Sequence, residues 1–465
     1  METLKHTRLI IAACMVFLLA SCTDFLDIKP YGKTIPKTTE EFSALVNNIV
    51  GGIDGGEAGT DNADALMFSN SDVLSLEEVS DNFETNLTEY PLGDMLKSYF
   101  GDVLNSSWYD HLYEVISRCN MVFDEYHDGR DTREGKDLLG TCHALRGVAY
   151  YQLLRLYCAP PLTDDEKLGV PLVTKFDMEA KPLRSSFDET VAQAESDLKE
   201  ALKYDIQDEM YRFDNDVVNG YLARLYFWAG RFSEAKTIAD GLIAKHPLLS
   251  GDAYEKMITA HTGLVGNMLI RCGRLESDGY ALSNQYLQAR PLSARFVNLF
   301  AEKDRDIRYR LFFNYRRRST KAYISSLRSA ELALISMESA FHLGDNDEAL
   351  RMLNQLRACR ISDYVPYTMS TLPAVDKTAL VKTDCMGKPL TPLIQAILNE
   401  RRKELYLEGD RFFELKRNGR PEFWVMKKGL KYTNYKFMYT FPIPPNDIVL
   451  TPGLKQNPGY TEMIY

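Results

Sequence analysis

The chain lacks most of the signatures by which an enzyme announces itself. Among its 465 residues there is no CxxC pair, no HExxH, no GxSxG, no GxGxxG and no Walker motif. A tetrahedral zinc site built from cysteine pairs is thereby excluded. The seven histidines stand at no metal-ligand spacing, so neither metal nor cofactor is expected. The Gly-rich stretch VGGIDGGEAGT (50–60) has no GK[ST] after it and reads as a loop. There is also no basic tract. With a net charge of −10 the chain is a poor partner for a phosphate backbone, so nucleic acid is not expected. After residue 19 no apolar run is long enough to cross a bilayer, which takes about 20 residues. Tryptophan is scarce, at three residues, although Tyr (27) and Phe (22) are plentiful.

What is present begins at the N-terminus. Lys5 and Arg8 precede an apolar run from Leu9 to Leu19, followed by Leu19-Ala20-Ser21-Cys22. Eleven apolar residues fit the hydrophobic region of an export signal rather than a span. Small residues before a cysteine match a lipobox, with lipidation at Cys22 and residues 1–21 removed as signal peptide. The chain is then expected to be held at a membrane surface by its lipid anchor. Residues 22–235 and 236–465 are read as N- and C-terminal regions of one body. Of the remaining cysteines, several lie in helical patterns and read as small buried apolar residues.

Helical periodicity dominates from about residue 95. Trp108, Leu112, Val115 and Ile116 share a face. Residues 137–157 form a second helix, stopped by Pro160-Pro161, and Ser186-Phe187-Asp188-Glu189 is a capping box. Ala223, Tyr226, Gly230, Phe232, Ala235 and Pro247 fall at tetratricopeptide spacing. Gly344, Glu348, Ala349 and Leu356 repeat the pattern 114 residues later, across an interval that must hold inserted loops. Residues 391–418 read as one long helix with a turn near Gly409, and 439–460 as an extended, Pro-rich tail.

Several segments together resemble the SusD/RagB family of Bacteroidetes: CTDFLDIKP (22–30), WYDHLYEVISRCN (108–120), LRGVAYYQLLRLYCAPPL (145–162), VNGYLARLYFWAGRFSEA (218–235), AELALISMESAFHLGDNDEALRMLNQLRACR (330–360), ILNERRKELYLEGDRFFELKRNG (397–419) and FPIPPNDIVLTPGLKQNPGY (441–460). The resemblance implies a mostly α fold of tetratricopeptide-like helix pairs, with irregular ligand-facing loops and few short strands. It implies a surface-exposed outer-membrane lipoprotein that captures oligosaccharides for a SusC-type TonB-dependent barrel, and not an enzyme. The alternatives are a peptide-binding RagB-like lipoprotein and, lower, a surface glycoside hydrolase. Trp108, Trp228 and Trp424 all fall in framework motifs of the resemblance, leaving no spare indole for a sugar platform.

Sugars need aromatic faces and nearby polar groups that replace water on each hydroxyl. Segments 60–100 and 265–320 lack framework periodicity and carry Asp72, Asn82, Phe83, Tyr90, Arg271, Tyr280, Asn284, Tyr286 and Tyr315. Phe83, Tyr90, Tyr280, Asn284 and Tyr286 are the candidate ligand-binding residues. Arg316-Arg317-Arg318 reads as a solvated cluster. Glu400, Glu404 and Glu408 stand four apart among Arg401, Arg402, Lys403, Asp410, Arg411, Lys416 and Arg417. Ion pairs along the helix account for them better than paired catalytic carboxylates, because one helix face rarely flanks a bond from two sides.

Overall fold

The structure, a computed structural model, describes residues 36–53, 66–85, 107–162, 165–177, 179–261, 263–272, 287, 290–427 and 430–460. Helices α1 (Thr39–Ile53), α2 (Asn70–Glu78), α3 (Trp108–Glu125) and α4 (Arg133–Tyr157) come first, then strands β1 (Leu168–Pro171) and β2 (Arg184–Ser186). Next are α5 (Phe187–Tyr204), α6 (Asn215–Trp228), α7 (Phe232–Lys245), α8 (Gly251–Thr259), β3 (Met268–Arg271), α9 (Ala294–Val297) and α10 (Ile307–Phe312). The chain continues through β4 (Ser326–Arg328), α11 (Ser329–His342), α12 (Asn346–Ala358), α13 (Pro392–Glu404), α14 (Asp410–Arg417), β5 (Phe423–Lys427), β6 (Leu430–Asn434) and α15 (Pro445–Leu450). The fold is mostly α. The strands form three antiparallel pairs, β1–β2, β3–β4 and β5–β6.

Helix α4 is the axis of the N-terminal half. It is buried on nearly every side, among them by α1, α3 and α5, and its buried polar residues are paired, Arg146 with Asp197 and Gln152 with Leu66 O. It starts four residues before the position read from periodicity, because Thr132 caps it by accepting from Gly135 N at 3.0 Å. Helix α5 begins at the expected capping box: Ser186 Oγ accepts from Glu189 N, and the Glu189 carboxylate accepts from Ser186 N.

The two helix pairs fall where the repeat spacing puts them. α6 and α7 turn at Gly230 (φ 75°), and α11 and α12 turn at Gly344 (φ 85°). Both glycines hold the left-handed conformation that side chains avoid. Helix α7 packs against α11, so the pairs share one core through Ala235, Ala239, Leu242, Leu353 and Leu356, all buried. The helix expected over 391–418 does turn near Gly409, and the turn is sharp enough to divide it in two. α13 ends at Glu404, and positive φ at Leu407 and Gly409 breaks the axis before α14. The tail is not wholly extended, since it contains α15.

The glutamates of α13 form an ion-pair network, but a buried and tertiary one. Arg308, Arg328 and Arg360 converge on Glu404 at 2.8–3.0 Å. Glu400 pairs with Arg308 and Arg357 as well as Lys403, its only pairing partner along the helix. Glu408 pairs with Lys321 and Arg328. Helical spacing alone names only Lys403: the guanidiniums come from α10 (Arg308), α12 (Arg357), the turn after α12 (Arg360) and the last residue of β4 (Arg328). Burial by itself would push these carboxyls up. Instead Arg360, Arg328 and Arg308 hold Glu404 well below the usual range, and Arg308, Lys403 and Arg357 hold Glu400 down. Asp81, likewise buried, is held down by Arg402 and Arg411.

A carboxylate whose folded value is depressed contributes stability above its unfolded value, near about 4, and loses it as pH falls through the folded value. Glu77 runs the other way. Burial pushes it up to about 7, so its contribution is present below its ordinary 4.5 and lost as pH rises through about 7. We therefore expect urea midpoints to hold down to about pH 4 and to fall steeply below it. A midpoint already collapsing between pH 6 and 5 would contradict these assignments.

A candidate ligand-binding cleft

Residues 82–84 and 291–293, the described parts where segments 60–100 and 265–320 meet, are brought together by backbone pairing. Phe83 and Leu292 form an antiparallel bridge. Glu84 N donates to Pro291 O at 3.0 Å, and Ser293 N donates to Asn82 O at 2.8 Å. Arg317 pins the junction, donating to Leu292 O at 2.8 Å and to the Glu84 carboxylate at 2.5 Å. Arg317 is thus tied in, which corrects the reading of 316–318 as only a solvated cluster. A third wall is the β5–β6 hairpin, whose Met426 N donates to Thr85 O at 2.8 Å. These elements border a cleft of about 350 Å³, lined in part by Phe83, Glu84, Ser293, Arg295, Phe423 and Trp424.

Strand alternation sets what the hairpin shows the cleft. Val425 is fully buried, whereas its neighbour Trp424, opposite Thr433, remains 38% exposed. Lys431 Nζ lies 5.3 Å from the indole centroid, within cation–π range. Trp108 and Trp228 are buried framework, as expected, but Trp424 is an accessible aromatic face. The absence of a spare indole is therefore corrected. The signal was in FWVM (423–426), where a period of two puts Trp424 on the face opposite Phe423 and Val425.

The candidates chosen from sequence fare differently. Phe83 lines the cleft but is only 3% exposed, its ring 6.5 Å from that of Tyr406, so it serves as floor more than platform. Tyr90, Tyr280, Asn284, Tyr286 and Cys22 lie outside the described residues. Asp72 accepts from Trp108 Nε1 at 2.8 Å and caps α2. Asn82 bonds Glu77 and Arg402, and Arg271 donates to Ala260 O and Gly263 O. All three support the framework. Tyr315, 87% exposed, stands out to solvent with Arg316 at its ring.

Among the described residues, two carboxylates border the cleft. Asp81 is engaged by Arg411 at 2.7 Å and Arg402 at 3.2 Å and is depressed, the opposite of what a proton-donating general acid needs. Glu84 accepts from Arg317 and, at 3.1 Å, from Ala294 N. The cleft offers an aromatic face, a hydrogen-bond acceptor and the Arg295 cation, which is equipment for holding a polar, ring-bearing ligand. Another cavity, near Arg155, Arg224, Glu331 and Asp410, measures about 40 Å³, room for a water or two and not for a sugar.

The fold and its matches define a class. The SusD-like family described as "Starch-binding associating with outer membrane" matches residues 24–227, and the SusD family matches residues 308–460. The chain belongs to the SusD/RagB family. Its architecture is similar to a SusD-like carbohydrate binding protein from Bacteroides vulgatus (TM-score 0.67, 20% identity, 90% of this chain and 98% of that one). It is also similar to a SusD superfamily protein from Bacteroides thetaiotaomicron (TM-score 0.66, 19% identity, 90% and 100%). A laminarin binding SusD-like protein matches at a TM-score of 0.59 with 16% identity over 91% and 99%. No curated protein matches in sequence.

Proposed function

We propose that this protein is a cell-surface nutrient-binding lipoprotein that captures oligosaccharides without cleaving them and hands them to a SusC-type TonB-dependent outer-membrane transporter. The observation that carries the reading is the exposed Trp424 face at a cleft of about 350 Å³, set beside Glu84 and Arg295. An aromatic face takes the apolar side of a pyranose, while acceptor and cation replace water on its hydroxyls. The family match and the carbohydrate-binding relatives favour a glycan over other polar ligands. Capture beside a transporter works at modest affinity, because tethering raises the local concentration and release must stay fast.

The test is calorimetric titration of the purified protein with maltooligosaccharides, laminarin oligosaccharides and a mixed peptide library. Saturable heat with a glycan and no new reducing ends is expected. Binding of peptides alone would move the protein to the peptide-capturing branch, and release of reducing ends would make it a hydrolase.

Anchoring is proposed at Cys22, which follows the apolar run and the small residues Ala20 and Ser21. Among the described residues no helix is long and apolar enough to cross a membrane, so a lipid would supply the attachment. Cells fed labelled palmitate should label the wild type and not Cys22→Ala, and the variant should leave the membrane fraction. Equal labelling of the two would refute the assignment.

A further inference from the structure

Helix α11 carries Glu338 and His342 one turn apart on one face. Facing them is Cys385, in the loop closed by the Thr383–Pro389 bridge. Cys385 Sγ lies 3.3 Å from His342 Nε2, Glu338 Oε1 lies 3.7 Å from the same Nε2, and the three ligand atoms are within 4.8 Å of one another. In a nucleophile–base–carboxylate relay the carboxylate would take the other ring nitrogen. Convergence of thiol and carboxylate on one nitrogen is instead the arrangement a shared cation requires. With Zn–S near 2.3 Å and Zn–N or Zn–O near 2.0–2.1 Å, tetrahedral ligand atoms stand about 3.3–3.6 Å apart. The separations of 3.3 and 3.7 Å need only a few tenths of adjustment.

Glu338 also has spare acceptor capacity, on the oxygen other than the one nearest His342. Glu338 is fully buried, yet its Oε2 has no hydrogen-bond partner, while Oε1 accepts from Arg417 Nη2 at 3.0 Å. A carboxylate oxygen sequestered without a partner is costly and rare.

We propose that Glu338, His342 and Cys385 form a site for a divalent transition metal, zinc above all. Thiolate, imidazole and carboxylate suit that ion, whereas calcium and magnesium would reject the sulfur. On binding, the thiol proton and the proton on His342 Nε2 both leave to solvent, because each atom coordinates through a freed lone pair. Thiolate and carboxylate then neutralise the dication, and Arg417 retains its charge. A water would complete the tetrahedron as the fourth ligand. The metal would tie the second helix pair to the loop before α13. Sequence spacing could not reveal it, because Cys385 is 43 residues from His342. The site does not depend on the glycan reading.

The test uses the EDTA-stripped protein titrated with cobalt(II) chloride, followed by displacement with zinc sulfate. One equivalent should produce a thiolate-to-cobalt charge-transfer band. The band should vanish in Cys385→Ser, and affinity should fall at least about tenfold in His342→Ala. Cys119, Cys142, Cys158, Cys272 and Cys359 remain as internal controls. No band in the wild type, or an undiminished band in both variants, overturns the proposal. Should Cys385→Ser fail to fold, His342→Ala and thermal unfolding decide. Zinc should raise the wild-type midpoint and leave the variant's unmoved, and equal rises in both would overturn the site.

Discussion

Replacing Trp424 by alanine should weaken oligosaccharide binding by about 10- to 30-fold, roughly 1.4–2 kcal/mol, the range of an aromatic hot spot. The expectation follows from where the indole sits. Val425, its neighbour in β5, takes the buried side of the hairpin, so Trp424 adds little to the core. The variant should lose about 1–2 kcal/mol of stability, from the part of the indole that is covered, and remain folded at the temperature of the binding measurement. Trp424→Phe, which keeps a flat apolar face, should recover most of the affinity. Because Trp108 and Trp228 are buried, ligand-induced change in tryptophan emission should come from Trp424 and disappear in the alanine variant. Unchanged affinity in Trp424→Ala would remove the cleft from the account.

Glu404→Gln should destabilise the fold by about 3–5 kcal/mol, the cost of leaving buried charge unpaired. Glu404 accepts from Arg308, Arg328 and Arg360 and is fully buried, as are Arg308 and Arg328, while Arg360 is 3% exposed. A neutral amide offers those three guanidiniums one oxygen where two carried charge. The comparison is Glu348→Gln. That carboxylate pairs with Arg351, whose side chain is 60% exposed, and its loss should cost no more than about 1 kcal/mol. Urea midpoints for the two variants decide the matter. A Glu404→Gln loss as small as that of Glu348→Gln would show that solvent, and not burial, governs the network.

Much of the fold could be read from local chemistry. The Gly230 and Gly344 turns, the Ser186 cap and the faces of α3 and α6 all depend on residues within one or two helical turns. Local rules failed where partners are distant. Glu400, Glu404 and Glu408 are answered by arginines up to about 96 residues away, and no periodicity reports that. The turn between α13 and α14 is legible at Gly409, because glycine invites it, yet Leu407 also takes positive φ, held by tertiary hydrogen bonds to Glu77 and Ile324 that propensity does not register. Segments 60–100 and 265–320 stand out in the sequence by their lack of framework periodicity, and the Phe83–Leu292 bridge joins described parts of the two. Phe83 itself is floor, because backbone pairing there draws its ring against Tyr406. Trp424 is accessible although it falls in a framework motif, because alternate residues of one hairpin face opposite ways and membership of a motif does not imply burial.

The most direct test of the account is a crystal structure of the protein soaked with the oligosaccharide it binds best. The account predicts a pyranose ring stacked on the Trp424 indole, with hydroxyls reaching Glu84 or Arg295 and the glycosidic bonds intact. A sugar seated elsewhere with Trp424 bare, or only cleaved product in the cleft, would contradict it.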